Sequence, residues 1–256
     1  MSDAIVLLHG SANGSYSWGQ VRRALASHRA KVLAPDMLGY GGAPPPSETW
    51  TLLEEVEHLR RSIDQLHDGK IHLVAHSLGS LFALHLRLTL GERVTRMTLL
   101  DPVVVSVLRE AGEVDGYAEM EAQYQRFMSL VGDPTAAARA FVDHWSGAGA
   151  WERIGDKARA TITALVPKLR LEMIATRSDT TALNSLAASP PPTILVVGER
   201  TRVAPRAVAR QLAQSLRAAA TVVVPGAGHM LPLTHAAAVA EAVCCVLDRP
   251  AWDSAP

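Results

Sequence analysis

The chain has 256 residues, 48% of them hydrophobic, and its 25 basic and 25 acidic residues cancel to a formal net charge of zero. That much apolar material excludes a disordered chain, and without a basic run nucleic acid is a poor partner. The two cysteines, Cys244 and Cys245, are neighbours, which excludes a disulfide framework and fits a reducing compartment.

The opening MSDAIVLLHG has no basic n-region and only a short apolar run, so no signal peptide is expected. No apolar stretch nears the ~20 residues of a membrane helix, and the expectation is a soluble, cytoplasmic protein that meets no membrane. AIVLLHG reads as a first buried strand, followed by a helical pattern across Val21 and Leu25. KVLAPD reads as a second strand, and GYGGAPPPSET as a turn-rich loop. Thr49 is placed to cap a helix running to about His67, with Leu52, Val56, Leu59, Ile63 and Leu66 at helical spacing.

KIHLVAH is a third strand and LGSLFALHLRLTL the helix after it. VTRMTLLDP, PTILVVGE and ATVVVPGAGH read as strands four to six, and a last helix covers about Thr234 to Leu247. Both cysteines read as small apolar residues on that helix. Strands apolar on both faces and alternating with helices imply a mostly parallel sheet covered by helices on each side. The alternation breaks between 103 and 190, where only helical patterns occur, such as Tyr117 to Leu130 and Ala136 to Trp145. This divides the chain into an α/β core, 1–102 with 190–256, and a helical cap inserted at 103–189. Ligands bind at the carboxyl ends of such strands, where the insertion leaves the sheet and is placed to act as a lid.

Chemistry concentrates at LVAHSLGS, residues 73–80. Ser77 sits where the third strand hands over to its helix, with the small residues Ala75 and Gly79 two positions to either side. Ala-His-Ser-Leu-Gly is an alanine variant of the G-x-S-x-G nucleophile elbow. The helix N-terminus behind it supplies free backbone N–H groups, and the N–H of Leu78 is the natural first oxyanion donor. His76 is a poor base for Ser77, because adjacent residues on a sharp turn point apart; it reads as structural.

With these motifs in this order, the chain resembles the α/β-hydrolase fold family over nearly its whole length. LLHGS at 7–11 resembles the family's oxyanion loop, which implies the N–H of Ser11 as the second donor. PDMLGYG at 35–41 resembles the loop after the family's fourth strand. GAGHMLPL at 226–233 resembles the segment carrying the catalytic histidine, which implies His229 as the base. The family's first two strands have no counterpart, so the resemblance implies a six-stranded sheet in the order 4-3-5-6-7-8 by family numbering.

The orienting acid departs from the pattern. The family usually carries it as G-x-x-D after the seventh strand; here the stretch is Gly198-Glu199-Arg200-Thr201. A threonine hydroxyl orients an imidazole without neutralising its charge. Three arrangements stay open: Asp101, at the end of the preceding strand, where some family members place their acid; Glu199; or no acid at all, with weak activity. Asp101 is favoured.

No metal or cofactor motif appears: neither H-E-x-x-H, nor paired C-x-x-C, nor G-x-G-x-x-G after a strand. Aromatic residues of the insertion, Tyr117, Phe141 and Trp145 among them, are expected to form its own core and to leave an apolar pocket of moderate size. The leading expectation is a carboxylesterase-like serine hydrolase acting on small, largely apolar esters or lactones. A C–C bond hydrolase of the same family is the nearby alternative, favoured by an arginine inside the pocket. Epoxide and haloalkane chemistry would need an aspartate at 77. Thr201 motivates a reading of another class, a non-catalytic small-ligand binding protein. The expected partner is a small molecule; assembly into a homo-oligomer is compatible with the sequence and not specified by it.

Overall fold

Every run expected to be a strand is one in the computed structural model, which describes residues 3–28, 30–180, 185, 190–216 and 219–247. The strands are β1 (Ala4–Leu8), β2 (Val32–Leu33), β3 (Ile71–His76), β4 (Val94–Leu100), β5 (Thr193–Gly198) and β6 (Ala219–Val224). They form one parallel sheet in the order β2-β1-β3-β4-β5-β6, which is the order the resemblance implied. β2 is shorter than the expected KVLAPD strand, ending before Pro35, which has no N–H to give a ladder.

Alternation along the strands explains why they read as continuous apolar runs. Ala4, Val6 and Leu8 of β1 face one core, and Ile5 and Leu7 face another. The second face is covered by α1 (Gly19–Ala24) through Val21 and by α12 (Ala236–Leu247) through Val239 and Val243. The first face carries α2 (Leu52–Leu66), α3 (Gly79–Leu90) and α10 (Val203–Ser215). Each fully buried Leu or Ile on these faces contributes roughly 1.5–3 kcal/mol, so burial on both sides holds the sheet between its helices.

Local signals place the helices, with two corrections. α2 is capped by Thr51, whose side chain accepts from the N–H of Glu54, and not by Thr49; the prolines at 44–46 keep the chain extended before it turns. The expected last helix is α12, which begins at Ala236 rather than Thr234; a separate short turn of helix, α11 (Leu231–Thr234), precedes it. Of the cysteines, Cys244 lies 2.8 Å from His28 Nε2 and Cys245 is exposed, so only the first contributes to packing.

Among the described residues, six helices run between β4 and β5: α4 (Val105–Glu110), α5 (Val114–Leu130), α6 (Pro134–Ser146), α7 (Ala150–Arg153), α8 (Asp156–Ala164) and α9 (Val166–Ser178). The segment expected to end the insertion, 181–189, lies outside the described residues except for Ser185. Side chains from α5, α6 and α9 stand over the carboxyl end of β3 and enclose a cavity there with Ser77. Among the described residues no helix is long and apolar enough to cross a membrane.

Candidate active site

Among the described residues, three non-glycine residues have positive φ: Ala12 (57°), Ser77 (55°) and Asp101 (41°). Such backbone persists only where its surroundings hold it, and it clusters at functional sites. All three follow closely on the carboxyl ends of the central strands β1, β3 and β4, where the sequence placed its site.

Ser77 is held on its turn by backbone bonds. Its N–H donates to the carbonyl of Leu100 at 2.9 Å, and its carbonyl accepts from Ser80 at 3.0 Å and Val103 at 3.3 Å. Gly79 is required by space: a Cβ there would sit 2.6 Å from the carbonyl oxygens of Leu8 and His9. Gly10 is pressed in the same way, since its Cβ would meet that of Ser77 at 2.9 Å. These contacts draw the loop after β1 against the elbow, and Ser11, Ser77 and Leu78 line one cavity. Among the described residues, neither Ser11 N–H nor Leu78 N–H donates to a loop or turn carbonyl.

His229 reaches this place on the loop after β6. Its Nε2 lies 2.9 Å from Ser77 Oγ, and both residues are buried. Three contacts that sequence reading did not identify hold the ring and its loop. His76 Nε2 donates to the His229 carbonyl at 2.7 Å, the structural task expected for that histidine. Trp145 of α6 stacks on the imidazole, with centroids 4.4 Å apart and planes at 29°. Glu199 Oε2 accepts from the Gly226 N–H at 2.7 Å, three residues before the histidine.

The three candidates for the acid therefore separate. Asp101 Oδ2 is 3.4 Å from His229 Nδ1, an ion-pair distance slightly longer than a hydrogen bond. Asp101 is fully buried, and its Oδ1 accepts from the Gly198 N–H at 3.1 Å. Glu199 is exposed and engaged with loop backbone. Thr201 is buried, and its Oγ1 has no hydrogen-bond partner among the described residues. It lines a second hollow, which His229 and Trp145 also line.

Histidines of the sheet, of the loops around the site and of α6 are kept neutral by desolvation. His9 Nδ1 donates to the carbonyl of Gly10 at 2.9 Å while its Nε2 accepts from the Met37 N–H at 3.1 Å, tying the loop after β1 to that after β2. Desolvation holds His9 at a pKa of about 4 and His72, His76 and His144 at about 3. Each takes up a proton more readily when unfolded, near 6.5. Its contribution to stability is thus complete above about pH 6.5 and is lost as the pH falls toward the folded value. Glu172 opposes this with one proton: burial raises it from 4.5 to about 7, so its contribution is lost as the pH rises across that interval. The histidines outnumber it. Urea denaturation followed from pH 7 to pH 5 is expected to show stability falling, by up to about 1.4 kcal/mol per pH unit for each histidine titrating; a flat or rising profile contradicts this assignment.

The cavity is narrower than the moderate pocket the sequence suggested, about 50 Å³, room for a few waters. Its lining is mainly apolar, with Val103, Val105, Met120 and Phe141, and polar groups gather at Ser11, Ser77 and Glu172. Arg177 also lines it, but its guanidinium is bound to Glu121 at 2.9 and 3.3 Å and lies over the Tyr124 ring.

Comparison with known proteins shows the family and the fold. The model of the alpha/beta hydrolase family matches residues 5–242. The probable lysophospholipase BODYGUARD 1 of Arabidopsis thaliana is 38% identical over 109 residues, which are 40% of this chain and 23% of that protein. The chain thus matches less than a quarter of that relative's length. The 2-hydroxymuconate semialdehyde hydrolase of Pseudomonas sp. strain CF600 is 27% identical over 252 residues, 93% of this chain and 84% of that one. In three dimensions, the bromoperoxidase of Bacillus anthracis superimposes with a TM-score of 0.80 at 21% identity, covering 97% of this chain and 93% of the other; at that identity the likeness is one of fold.

Proposed function

The chain belongs to the alpha/beta hydrolase family, whose model spans nearly all of it, and on that premise we propose a serine hydrolase that cleaves small, largely apolar carboxylic esters or lactones. The observation that carries this reading is the 2.9 Å approach of His229 Nε2 to Ser77 Oγ inside a mostly apolar cavity.

The reaction follows from the positions of the groups. Ser77 Oγ attacks the ester carbonyl while His229 Nε2 takes its proton. The carbonyl oxygen becomes an oxyanion facing the N–H groups of Ser11 and Leu78, two fixed donors in a buried, mostly apolar site. Collapse expels the alcohol, which recovers the proton from His229, and leaves an acyl group on Ser77. Water, deprotonated by His229, then attacks the acyl carbon and releases the acid and the serine. Asp101 stabilises the imidazolium that forms in both halves. The helices from Val105 to Ser178 serve as the cap that shuts this chemistry from solvent, and the narrow cavity supports small substrates.

A second reading, hydrolysis of a C–C bond, draws on Arg177 at the cavity wall. Its pairing with Glu121 means that a substrate carboxylate would have to displace a bound partner, so the ester reading is preferred. A fluorophosphonate probe separates either enzyme from a ligand-binding protein. One equivalent is expected to attach at Ser77, as read by mass spectrometry of the labelled peptide. No labelling, together with tight binding of a small apolar ligand, refutes catalysis.

A further inference from the structure

The Ser11 N–H lies on a strained loop, since the next residue, Ala12, has a φ of 57° that alanine rarely adopts. Hydrogen bonds hold the peptides on both sides of Ser11. The Gly10 carbonyl accepts from His9 Nδ1 at 2.9 Å, and in a planar trans peptide this turns the Ser11 N–H the opposite way. On the other side, the Ser11 carbonyl accepts from Asn13 Nδ2 at 3.0 Å, and the Ala12 N–H donates to the Tyr40 hydroxyl at 3.2 Å. Tyr40 in turn donates to Glu172 Oε2 at 2.9 Å. Burial and the charge of Glu172 push the Tyr40 phenol well above its usual range, so it stays protonated. Its one proton goes to Glu172, and a lone pair takes the Ala12 N–H. The Ser11 hydroxyl is hydrogen-bonded to the same carboxyl group.

Ser11, Ala12 and Tyr40 belong to the core, whereas Glu172 stands on α9 of the cap and is buried. Lys168, one turn earlier on α9, is 3.7 Å from Glu172 Oε1 and bonds Glu55 of α2 at 2.7 Å. Glu55 Oε1 accepts from the Leu38 N–H at 2.8 Å, two residues before Tyr40. The cap helix is thus fastened to the loop after β2 at two points, and the bonds of Glu172 end on the loop that carries the Ser11 N–H. We propose that Glu172 is a positioning residue, which through Tyr40 and Ser11 fixes that loop, so that the oxyanion site is complete only with the cap seated on the core. This rests on the hydrolase reading and gives the cap a part in it beyond enclosure. Buried ionic groups add little stability over apolar side chains of the same shape, whereas a donor held in place before the reaction lowers the barrier itself.

Glu172→Leu and Tyr40→Phe cut this chain of bonds at different links. Tyr40→Phe keeps the ring beside His9 and leaves the Lys168–Glu55 pair in place, so it decides the matter if Glu172→Leu does not fold. Each is expected to lower kcat for methyl butanoate by about 10–10²-fold, toward the loss of a whole oxyanion donor, with KM within about threefold of native. Butylboronic acid reads the oxyanion site directly. Ser77 Oγ adds to boron, His229 takes the serine proton, and a hydroxyl of the anionic tetrahedral boronate occupies the oxyanion position. Its inhibition constant should rise by about the factor by which kcat falls. The double variant should be little worse than either single one, because both act on one link. Glu172→Gln, whose amide oxygen still accepts from Tyr40, should recover most of the loss. A Glu172 that merely seats α9 would instead change KM and the melting temperature, with kcat and boronate binding unaltered. That result, or a kcat for Tyr40→Phe within about threefold of native, overturns this inference and leaves the hydrolase reading standing. No turnover of any ester by the native protein and no fluorophosphonate on Ser77 overturns both.

Discussion

Ser77→Ala is expected to lower turnover of a small ester by about 10⁴–10⁶-fold while leaving the fold intact. The nucleophile's oxygen is the only atom removed. Its hydrogen bond is to His229, and the bonds that hold the turn come from the backbone N–H and carbonyl. Alanine keeps the Cβ that packs against Gly10, so the strained φ of 55° stays supported. His229→Ala should cost a similar factor. The double variant should be little worse than either single one, because groups acting in one proton transfer are lost together. Steady-state kinetics on methyl butanoate, with circular dichroism as the check on folding, measure this. If Ser77→Ala retains a tenth of native turnover, the nucleophile is elsewhere.

Asp101→Asn should reduce turnover by about 10³–10⁴-fold, through the tautomer of His229 rather than through packing. Asparagine tolerates left-handed backbone, so the φ of 41° is no obstacle. Its oxygen would keep the bond from the Gly198 N–H, which turns the amide NH₂ toward His229 Nδ1. A donor there favours an imidazole with its proton on Nε2, the nitrogen that must be free to accept from Ser77. Glu199→Gln should stay within about threefold of native, because an amide oxygen still accepts from the Gly226 N–H. Adding Thr201→Asp to Asp101→Asn, which places a carboxylate at the family's usual position, is expected to recover at least about tenfold. A larger loss from Glu199→Gln than from Asp101→Asn would reverse the assignment of the acid.

The elbow was legible because its causes are local. A serine on so tight a turn demands small neighbours, and Gly79, with two carbonyl oxygens 2.6 Å from where its Cβ would stand, shows the demand in space. Strand runs were legible for a similar reason, since burial on both faces leaves no polar alternation to confuse them. The helix caps were legible only to within a residue or two. Thr49 and Thr51 are both able to cap, and the choice depended on how the chain leaves the prolines before it.

By itself, the sequence determined the parallel six-stranded sheet, the turn that presents Ser77, and the loop that carries His229. Hydrophobic periodicity and glycine sterics were enough for the strands and the turn, while the strand order and the His229 loop followed from the resemblance of the motifs to the family. Tertiary structure decided which carboxylate reaches the imidazole, that Trp145 stacks on it, and that Glu172 meets Tyr40 across 132 positions of chain. It also decided how little room remains above Ser77. Such contacts depend on how whole helices pack over the sheet, and packing is a property of surfaces that distant segments build together, so no local run of residues records it.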